Sequence, residues 1–187
     1  MPERERPRLL ERRVPKGAKP EIQIFPERLL SAKTVERLLN AIIERVDGIG
    51  RIVLHGPGLP KVVPFGPARG EPVKHPERRP IRIQDEEVPM KVQTGQIIIE
   101  VEDEERLDEI TAQIEEICRE LLPCDFQVQT GRFTRHRPTV TDYLKFGEKG
   151  VEELDDRLLG LVEPRARLSD RVSILKARKG GEGKDEG

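Results

Sequence analysis

The chain has 187 residues, which is the length of one domain or of one domain with tails. Its 34 Lys and Arg balance 35 Asp and Glu, so it lacks the excess of positive charge that attracts nucleic-acid phosphates. Aromatic residues make up only 3% of the chain, which argues against a surface that stacks single-stranded bases. Neither a membrane-spanning apolar run nor a secretory signal is present. We therefore predict a cytoplasmic protein without a membrane or nucleic-acid partner.

Two tails flank the predicted core. Residues 1–19 hold seven Lys and Arg, three Glu and three Pro, which is typical of a disordered basic arm. The core is predicted over residues 20–147. A C-terminal extension follows over 148–187, and we expect disorder from about residue 177, where glycine and charged residues dominate.

The core opens with a strand–helix–strand unit. Alternation of polar and apolar residues predicts a strand over 21–25. An apolar stripe at helical spacing then predicts a helix over 32–47, with Ser31 as its N-cap and Gly48 as the glycine that ends it. A short strand over 51–54 completes the unit.

A second such unit follows. It comprises a strand over 96–101, a helix over 103–122 with Asp103 as N-cap, the helix-ending Pro123, and a strand over 126–130. The order βαββαβ favours a ferredoxin-like α+β fold, a two-layer sandwich in which a four-stranded antiparallel sheet carries both helices on one face.

A long insertion rich in Pro and Gly, residues 55–95, separates the second and third of these strands. Seven of the sixteen prolines lie in residues 57–80, so this part is predicted to be a rigid, shaped loop and neither a helix nor a central strand. Its second half alternates over 81–83 and 88–92, which predicts a hairpin arm that turns at 85–87. A loop this long inside a compact domain is usually functional or disordered, and its apolar strips favour function.

Short helical pieces are predicted after the fourth strand, over 141–146 and 151–161. A terminal strand is predicted over 171–175, where apolar residues return.

No chemical motif in the sequence indicates an enzyme. The three histidines and two cysteines lack the spacing of a zinc site, and the Gly56-Pro57-Gly58 stretch does not open a helix that could cradle phosphate. We therefore predict a protein without catalytic residues and without a metal or cofactor of its own. The five residues considered as ligands are His55, His75, His136, Cys118 and Cys124.

Charge is segregated along the chain. Residues 85–120 hold thirteen Asp and Glu against three Lys and Arg, whereas residues 61–79 and 131–137 are basic. Opposed acidic and basic surfaces suit a protein that docks on another protein. A highly charged, solubilising surface explains the same pattern equally well.

Several stretches resemble the methyl-coenzyme M reductase operon protein D family of methanogenic archaea. The resemblance covers about residues 20–178, and the basic N-terminal arm looks like an extension beyond it. The stretches that carry it are Glu21–Leu30 (EIQIFPERLL), His55–Gly70 (HGPGLPKVVPFGPARG), His75-Pro76, Pro138–Gly147 (PTVTDYLKFG) and Asp156–Arg167 (DRLLGLVEPRAR).

The resemblance implies an accessory protein, not an enzyme. Such a protein is encoded beside the reductase subunits and associates with methyl-coenzyme M reductase during assembly, cofactor loading or activation. It has no established cofactor or catalytic residues to carry over. The subunit contacted, the step assisted and the oligomeric state stay open.

A preformed, proline-rich loop loses little conformational entropy on docking, so the 55–70 loop and the 138–147 segment are the predicted partner-binding elements. The predicted binding residues are Lys61, Phe65, Arg69, Arg132, Arg135, Tyr143 and Lys145.

Two alternatives compete with docking. The first is a carrier of the reductase's nickel tetrapyrrole, with His55 or His75 as axial ligand and Arg69, Arg78 or Arg79 on its carboxylates. The second is a nucleic-acid-binding regulator that uses the basic arm, and it has the weakest support.

Overall fold

The computed structural model describes residues 19–134, 140–152 and 172–176, so residues 1–18 of the predicted basic arm and the predicted disorder from about residue 177 lie outside the described residues. The described residues combine helices with antiparallel strands, which agrees with the predicted α+β class. The strands are β1 Glu21–Pro26, β2 Ile49–His55, β3 Ile81–Ile83, β4 Glu86–Val88, β5 Gln96–Val101, β6 Phe126–Gly131 and β7 Val172–Lys176, and the helices are α1 Ala32–Arg45, α2 Leu107–Leu121 and α3 Val140–Glu152.

The main sheet has five described strands in the order β6-β1-β5-β2-β7, and every neighbouring pair is antiparallel. The predicted terminal strand is confirmed as β7, which pairs with β2 and makes the sheet one strand wider than the four strands expected. The hairpin of β3 and β4 forms a separate two-stranded sheet.

The hydrophobic core lies between one face of the sheet and the helices α1 and α2, which also pack against each other. Burying these apolar side chains is the main force that holds the two layers together. Alternate strand residues form one layer and the helix stripes form the other; among the fully buried members are Ile22, Ile24, Ile52, Leu54, Ile97, Ile99, Leu38, Leu39, Ile42, Ile110 and Ile114.

Helix α1 begins where the sequence predicts and ends earlier. The hydroxyl oxygen of Ser31 accepts the N–H of Thr34 at 3.2 Å, which confirms the predicted N-cap. Val46 adopts an extended backbone after the last turn and is buried in the core, so the helix cannot continue to residue 47. Gly48, with φ +87°, therefore lies in the turn into β2 and does not directly follow the helix.

Helix α2 is preceded by a turn of 3-10 helix. The carboxylate of Asp103 accepts the N–H of Glu105 at 3.0 Å, so the predicted N-cap residue caps this turn, Glu104–Arg106. The α-helix itself begins at Leu107, later than predicted, and ends before Pro123 as expected.

The hairpin of the insertion is shorter than predicted and turns earlier. Gln84 adopts a φ of +52° in the two-residue turn, and its N–H donates to the side-chain oxygen of Asn40 in α1 at 2.8 Å. The prediction of a second hairpin strand over 88–92 was wrong beyond residue 88. Met90 and Val92 are buried in the main hydrophobic core instead, so the chain leaves the hairpin after Val88.

Helix α3 joins what the sequence predicts as separate pieces. It is interrupted by Gly147, whose φ of 70° and ψ of 174° are not helical. The remainder of the predicted 151–161 piece lies outside the described residues.

Candidate partner-binding surface

The first half of the insertion is an arm, residues 56–74, that continues the pairing of β2 and β5. An isolated bridge joins Gly58 to Val92. Hydrogen bonds at the base fix the start of the arm to residues 91–95, the segment that leads into β5. These backbone bonds run from Gly95 N–H to His55 O at 2.9 Å, from Gln93 N–H to Pro57 O at 2.9 Å, and from Leu59 N–H to Lys91 O at 2.7 Å.

Gly56 makes the close approach at the base of the arm. A Cβ atom at this position would lie 1.7 Å from the backbone oxygen of Gln93. No side chain fits at that distance, so the tight crossing of the two chains requires glycine at residue 56.

Further backbone bonds order the outer part of the arm. An isolated bridge joins Val62 to Pro72. The N–H of Val73 donates to Lys61 O at 2.9 Å, and the N–H of Gly70 donates to Val63 O at 2.9 Å. Pro, which lacks an N–H and has a fixed φ, is tolerated here because the partner residues donate instead. Backbone hydrogen bonds therefore give this loop a defined shape.

The segment that follows the arm anchors it to the domain. The Nε of Arg78 donates to Leu59 O at 3.0 Å. The carboxylate of Glu77 accepts the first N–H of α1, that of Ala32, where a helix N-terminus favours negative charge. Glu77 thus ties the segment after the arm to α1, and Arg78 ties the same segment to the start of the arm, so the folded domain sets the position of the arm.

Four side chains on the arm form what we call the docking patch, Lys61, Val62, Phe65 and Arg69. The structure brings the three residues predicted on this loop onto one arm, and all three are exposed. Phe65 is 83% exposed and Val62 48% exposed. An exposed aromatic side chain and two long cations on one short arm are the composition of an interface anchor.

Helix α3 presents a second apolar strip. Val140, Tyr143 and Leu144 are exposed at positions i, i+3 and i+4, which lie on one side of a helix. Val140 and Leu144 are 75% and 82% exposed. Sequence reasoning named Tyr143 alone; the helical spacing of the other two was the signal that could have found them.

The remaining predicted binding residues are only partly described. Arg132 follows β6 and is half-buried, so its side chain is not presented as fully as those of the docking patch. Lys145 lies in α3. Arg135 lies outside the described residues.

A buried charge cluster, missed by sequence reasoning, occupies the face of the sheet opposite the helices. Arg51 lies 3.7 Å from Glu21 and 3.6 Å from Glu100, and Lys19 lies 3.2 Å from Glu100. The carboxylate of Glu21 also accepts the N–H of Thr134 at 2.8 Å. The cluster ties the chain that leaves β6 to the sheet. Only the topology brings these charges together, since they come from four distant parts of the sequence.

The two histidines considered as tetrapyrrole ligands have different surroundings. His55 ends β2 and is half-buried, whereas His75 is exposed and caps a short 3-10 turn. The Nδ1 of His75 accepts the N–H of Glu77 at 3.2 Å, so the neutral ring carries its proton on Nε2. That nitrogen therefore has no free lone pair for a metal in the described arrangement.

A shallow groove of about 490 Å³ lies beside His75. It is lined by Val73, Lys74, His75, Pro76, Arg78 and Arg79. Arg78 is used to hold Leu59, and Arg79 forms an ion pair with Glu36 at 3.2 Å. The arginines predicted to hold ligand carboxylates thus already have structural partners, and Arg69 belongs to the docking patch.

Metal-binding side chains do not cluster in the part of the chain that the structure describes: no three His, Cys, Asp or Glu residues are placed to hold an ion. Cys118 lies on the buried face of α2, and burial raises the pKa of its thiol to about 12. It therefore stays a neutral thiol at neutral pH and acts as a small apolar side chain.

The geometry thus defines a small α+β protein that carries an anchored, exposed arm and no described metal cluster. Over residues 21–171 the chain matches the family described as methyl-coenzyme M reductase operon protein D, and it belongs to that family. The match confirms the resemblance carried by the arm and by the 138–147 segment. Among residues 19–134, 140–152 and 172–176, no helix is long and apolar enough to cross a membrane.

Curated relatives cover most of this chain. The methyl-coenzyme M reductase II operon protein D of Methanocaldococcus jannaschii is 47% identical over 156 residues, which are 83% of this chain and 91% of the relative. The operon protein D of Methanococcus voltae is 41% identical over 162 residues, 87% of this chain and 99% of the relative. That of Methanosarcina barkeri is 41% identical over 158 residues, 84% and 87% of the two chains.

Proposed function

We propose that this protein is a non-catalytic accessory protein of methanogenesis that binds methyl-coenzyme M reductase in the cytoplasm. The relatives are named for the operon of that reductase, which links the family to the enzyme. The observation that carries the proposal is the exposure of Phe65, 83% of whose surface is open to solvent on an otherwise cross-linked arm.

Exposure of Phe65 is unfavourable for the isolated protein. Burying a side chain of this size contributes about 1.5–3 kcal/mol, and this chain has only five Phe and one Tyr. The arm nevertheless holds Phe65 away from the core. A partner that covers Phe65 would gain the free energy of burying this side chain, because folding alone does not bury it.

Rigidity of the arm supports the same conclusion. The backbone bonds at its base and tip, and its prolines, restrict the free arm to few conformations. The arm therefore loses little conformational entropy on binding, so more of the free energy of its contacts contributes to affinity.

The docking patch also defines the complementary surface. The patch combines two exposed cations, Lys61 and Arg69, with the exposed apolar side chains of Val62 and Phe65. We propose that the partner offers an apolar pocket with carboxylates on its rim, because such a rim attracts the two cations and excludes a basic partner.

We propose α3 as a second contact. Val140, Tyr143 and Leu144 form an exposed apolar strip in the segment 138–147 that carries the family resemblance. Two separate contacts on one partner increase the overall affinity beyond that of either alone.

The fold and domain boundaries extend the proposal. We propose that residues 20–147 contain a ferredoxin-like core. Its four strands lie in the order β6-β1-β5-β2, and α1 and α2 pack on one face of the sheet. We also propose that residues 148–187 form an extension of this core, because their strand β7 pairs with β2 at the edge of the sheet.

The competing tetrapyrrole carrier has less support. His75 uses Nδ1 as a cap acceptor, and Arg78 and Arg79 have structural partners. A carrier would have to break these contacts to load its ligand.

One experiment separates the two functions. The tagged chain is purified from a methanogen lysate, its reductase content is measured by mass spectrometry, and its visible absorption and metal content are recorded. We expect reductase subunits to co-purify with the tagged chain. We expect the free chain to show no tetrapyrrole absorption band and no stoichiometric nickel, zinc or iron. A coloured free chain with about one nickel per protein would support the carrier, and loss of all reductase would contradict docking.

A further inference from the structure

Strand β6 forms one edge of the described main sheet and is unusual in this chain. Its six residues, Phe126–Gly131, include no charged side chain, although 37% of the chain is charged. Edge strands are normally protected from pairing by charges, prolines or bulges. The register of β6 with β1 runs without a bulge from Pro26 to Glu21.

The register shows which backbone groups of β6 face outward. The N–H of Glu27 donates to Asp125 O at 2.9 Å, so this pair is a hydrogen-bonded one. Hydrogen-bonded pairs recur every second residue in an antiparallel ladder. The backbone N–H and C=O groups of Gln127 and Gln129 therefore bond to β1. The N–H and C=O groups of Phe126, Val128 and Thr130 therefore point away from β1. None of the described residues forms a strand on that side.

Side chains alternate across β6 in the same way. Phe126 and Val128 are half-buried and pack at the margin of the core beside α2, whereas Gln127 and Gln129 are exposed on the other face. A strand added at this edge would cover the open sides of Phe126 and Val128 and would meet amide side chains on the opposite face.

We propose that the occupant of this edge is a second copy of the chain, paired antiparallel through β6 about a twofold axis at Val128. In this register Val128 meets Val128 of the copy, and Phe126 meets Thr130. About six backbone hydrogen bonds form, because the three outward-facing residues of each copy pair with one another.

Charge favours the second copy over a different partner. Self-pairing places side chains of the same strand beside each other, so one charged residue near the axis would meet its own like charge. A strand without charge avoids that repulsion, and the amide groups of Gln127 and Gln129 are both donors and acceptors. A foreign partner would instead be selected by charges that β6 lacks.

The contact is that of a weak dimer. One strand per subunit covers less area than a standard stable interface, so we expect a dissociation constant in the roughly micromolar range. The dimer would present two docking patches, one from each copy, on one assembly.

Sedimentation equilibrium of the full chain from about 1 to about 300 µM tests this proposal. The variant Thr130→Pro removes an outward N–H that β1 does not use, and Thr130→Val keeps it as the matched control. We expect wild type and Thr130→Val to dimerise and Thr130→Pro to weaken the dimer at least about tenfold at an unchanged melting temperature.

A second variant covers the case in which Thr130→Pro does not fold. The double change Gln127→Lys and Gln129→Lys puts four ammonium groups beside the twofold axis on exposed side chains and leaves every backbone donor in place, so it should also produce monomers. A wild-type protein that is monomeric throughout the range overturns the proposal. So does a dimer that neither variant weakens, because its interface would lie elsewhere.

Discussion

Glu21 lies directly opposite Glu100 in the ladder between β1 and β5. Two buried carboxylates therefore share the face of the sheet opposite the helices. The guanidinium of Arg51 contacts both, at 3.7 and 3.6 Å. A cation between two carboxylates offsets their repulsion, which would otherwise disfavour this register. The cluster also accepts the backbone N–H groups of Phe133 and Thr134, so it fixes the direction in which the chain leaves β6.

Removing the central cation should be strongly destabilising. Arg51→Met leaves two buried carboxylates facing each other, and we expect a loss of about 3–5 kcal/mol in the free energy of unfolding, measured by urea titration. The control is Arg45→Met, because Arg45 forms a solvent-exposed ion pair with Glu120 and its loss should change stability far less. Equal losses in the two variants would contradict a structural role for the buried cluster.

The core face of α1 gives a second test. Leu39 is fully buried between α1 and the sheet, so Leu39→Asp places an unpaired charge in the core. We expect a loss of at least about 4 kcal/mol, seen as an unfolded circular dichroism spectrum. Arg37→Asp changes an exposed residue of the same helix and should stay folded. A folded Leu39→Asp with an unchanged melting temperature would show that the core face is assigned wrongly.

Acid should weaken the pairs that join the helices. The hydrogen bond and charge of Arg45 lower the pKa of Glu120 below its ordinary value of 4.5. Because the folded pKa is the lower one, the contribution is complete above the unfolded pKa and is lost as pH falls through the folded value. We expect Glu120→Gln to make the melting temperature fall less steeply below about pH 4.5. The difference should shrink in 1 M salt, since both groups are exposed.

The two cysteines should differ in reactivity. Burial keeps Cys118 protonated and inaccessible, whereas Cys124 is half-buried. Iodoacetamide at pH 8 should therefore label Cys124 of the native protein and leave Cys118 unlabelled, as read by peptide mass spectrometry. Both should react in urea. If native Cys118 were labelled as fast as Cys124, Cys118 would not lie on the buried face of α2, and the packing of that helix on the sheet would be wrong.

Local patterns predicted most of the core because local forces determine them. The apolar stripes of α1 and α2, the Ser31 cap and the alternation in β1, β5 and β6 all depend on residues close in sequence. Element ends were less accurate. The end of α1 depends on Val46 entering the core, which is a tertiary contact that periodicity cannot register.

The candidate site was predicted only in part, for the same reason. Proline density identified the arm and its exposed Phe65, since composition alone limits what such a stretch can form. The bond of Glu77 to α1, the bond of Arg78 to the arm, and the ion pair of Glu21 with Arg51 all depend on pairings between distant segments. Nothing in the neighbouring residues of each partner specifies these contacts.

The docking patch is the central claim, and binding of the reductase tests it most directly. The triple change of Lys61, Phe65 and Arg69 to Ala should leave the circular dichroism spectrum and melting temperature nearly unchanged, because all three side chains are exposed. The control changes Leu29, Lys33 and Arg37 to Ala, which removes one exposed apolar side chain and two exposed cations far from the arm in sequence.

The measurement is a competition assay in which each variant displaces labelled wild-type chain from purified reductase, run beside thermal melts. We expect the arm variant to bind at least about tenfold more weakly, a difference of about 1.4 kcal/mol, and the control variant to bind as wild type does. An arm variant that stays folded and binds the reductase with unaltered affinity would contradict the docking patch.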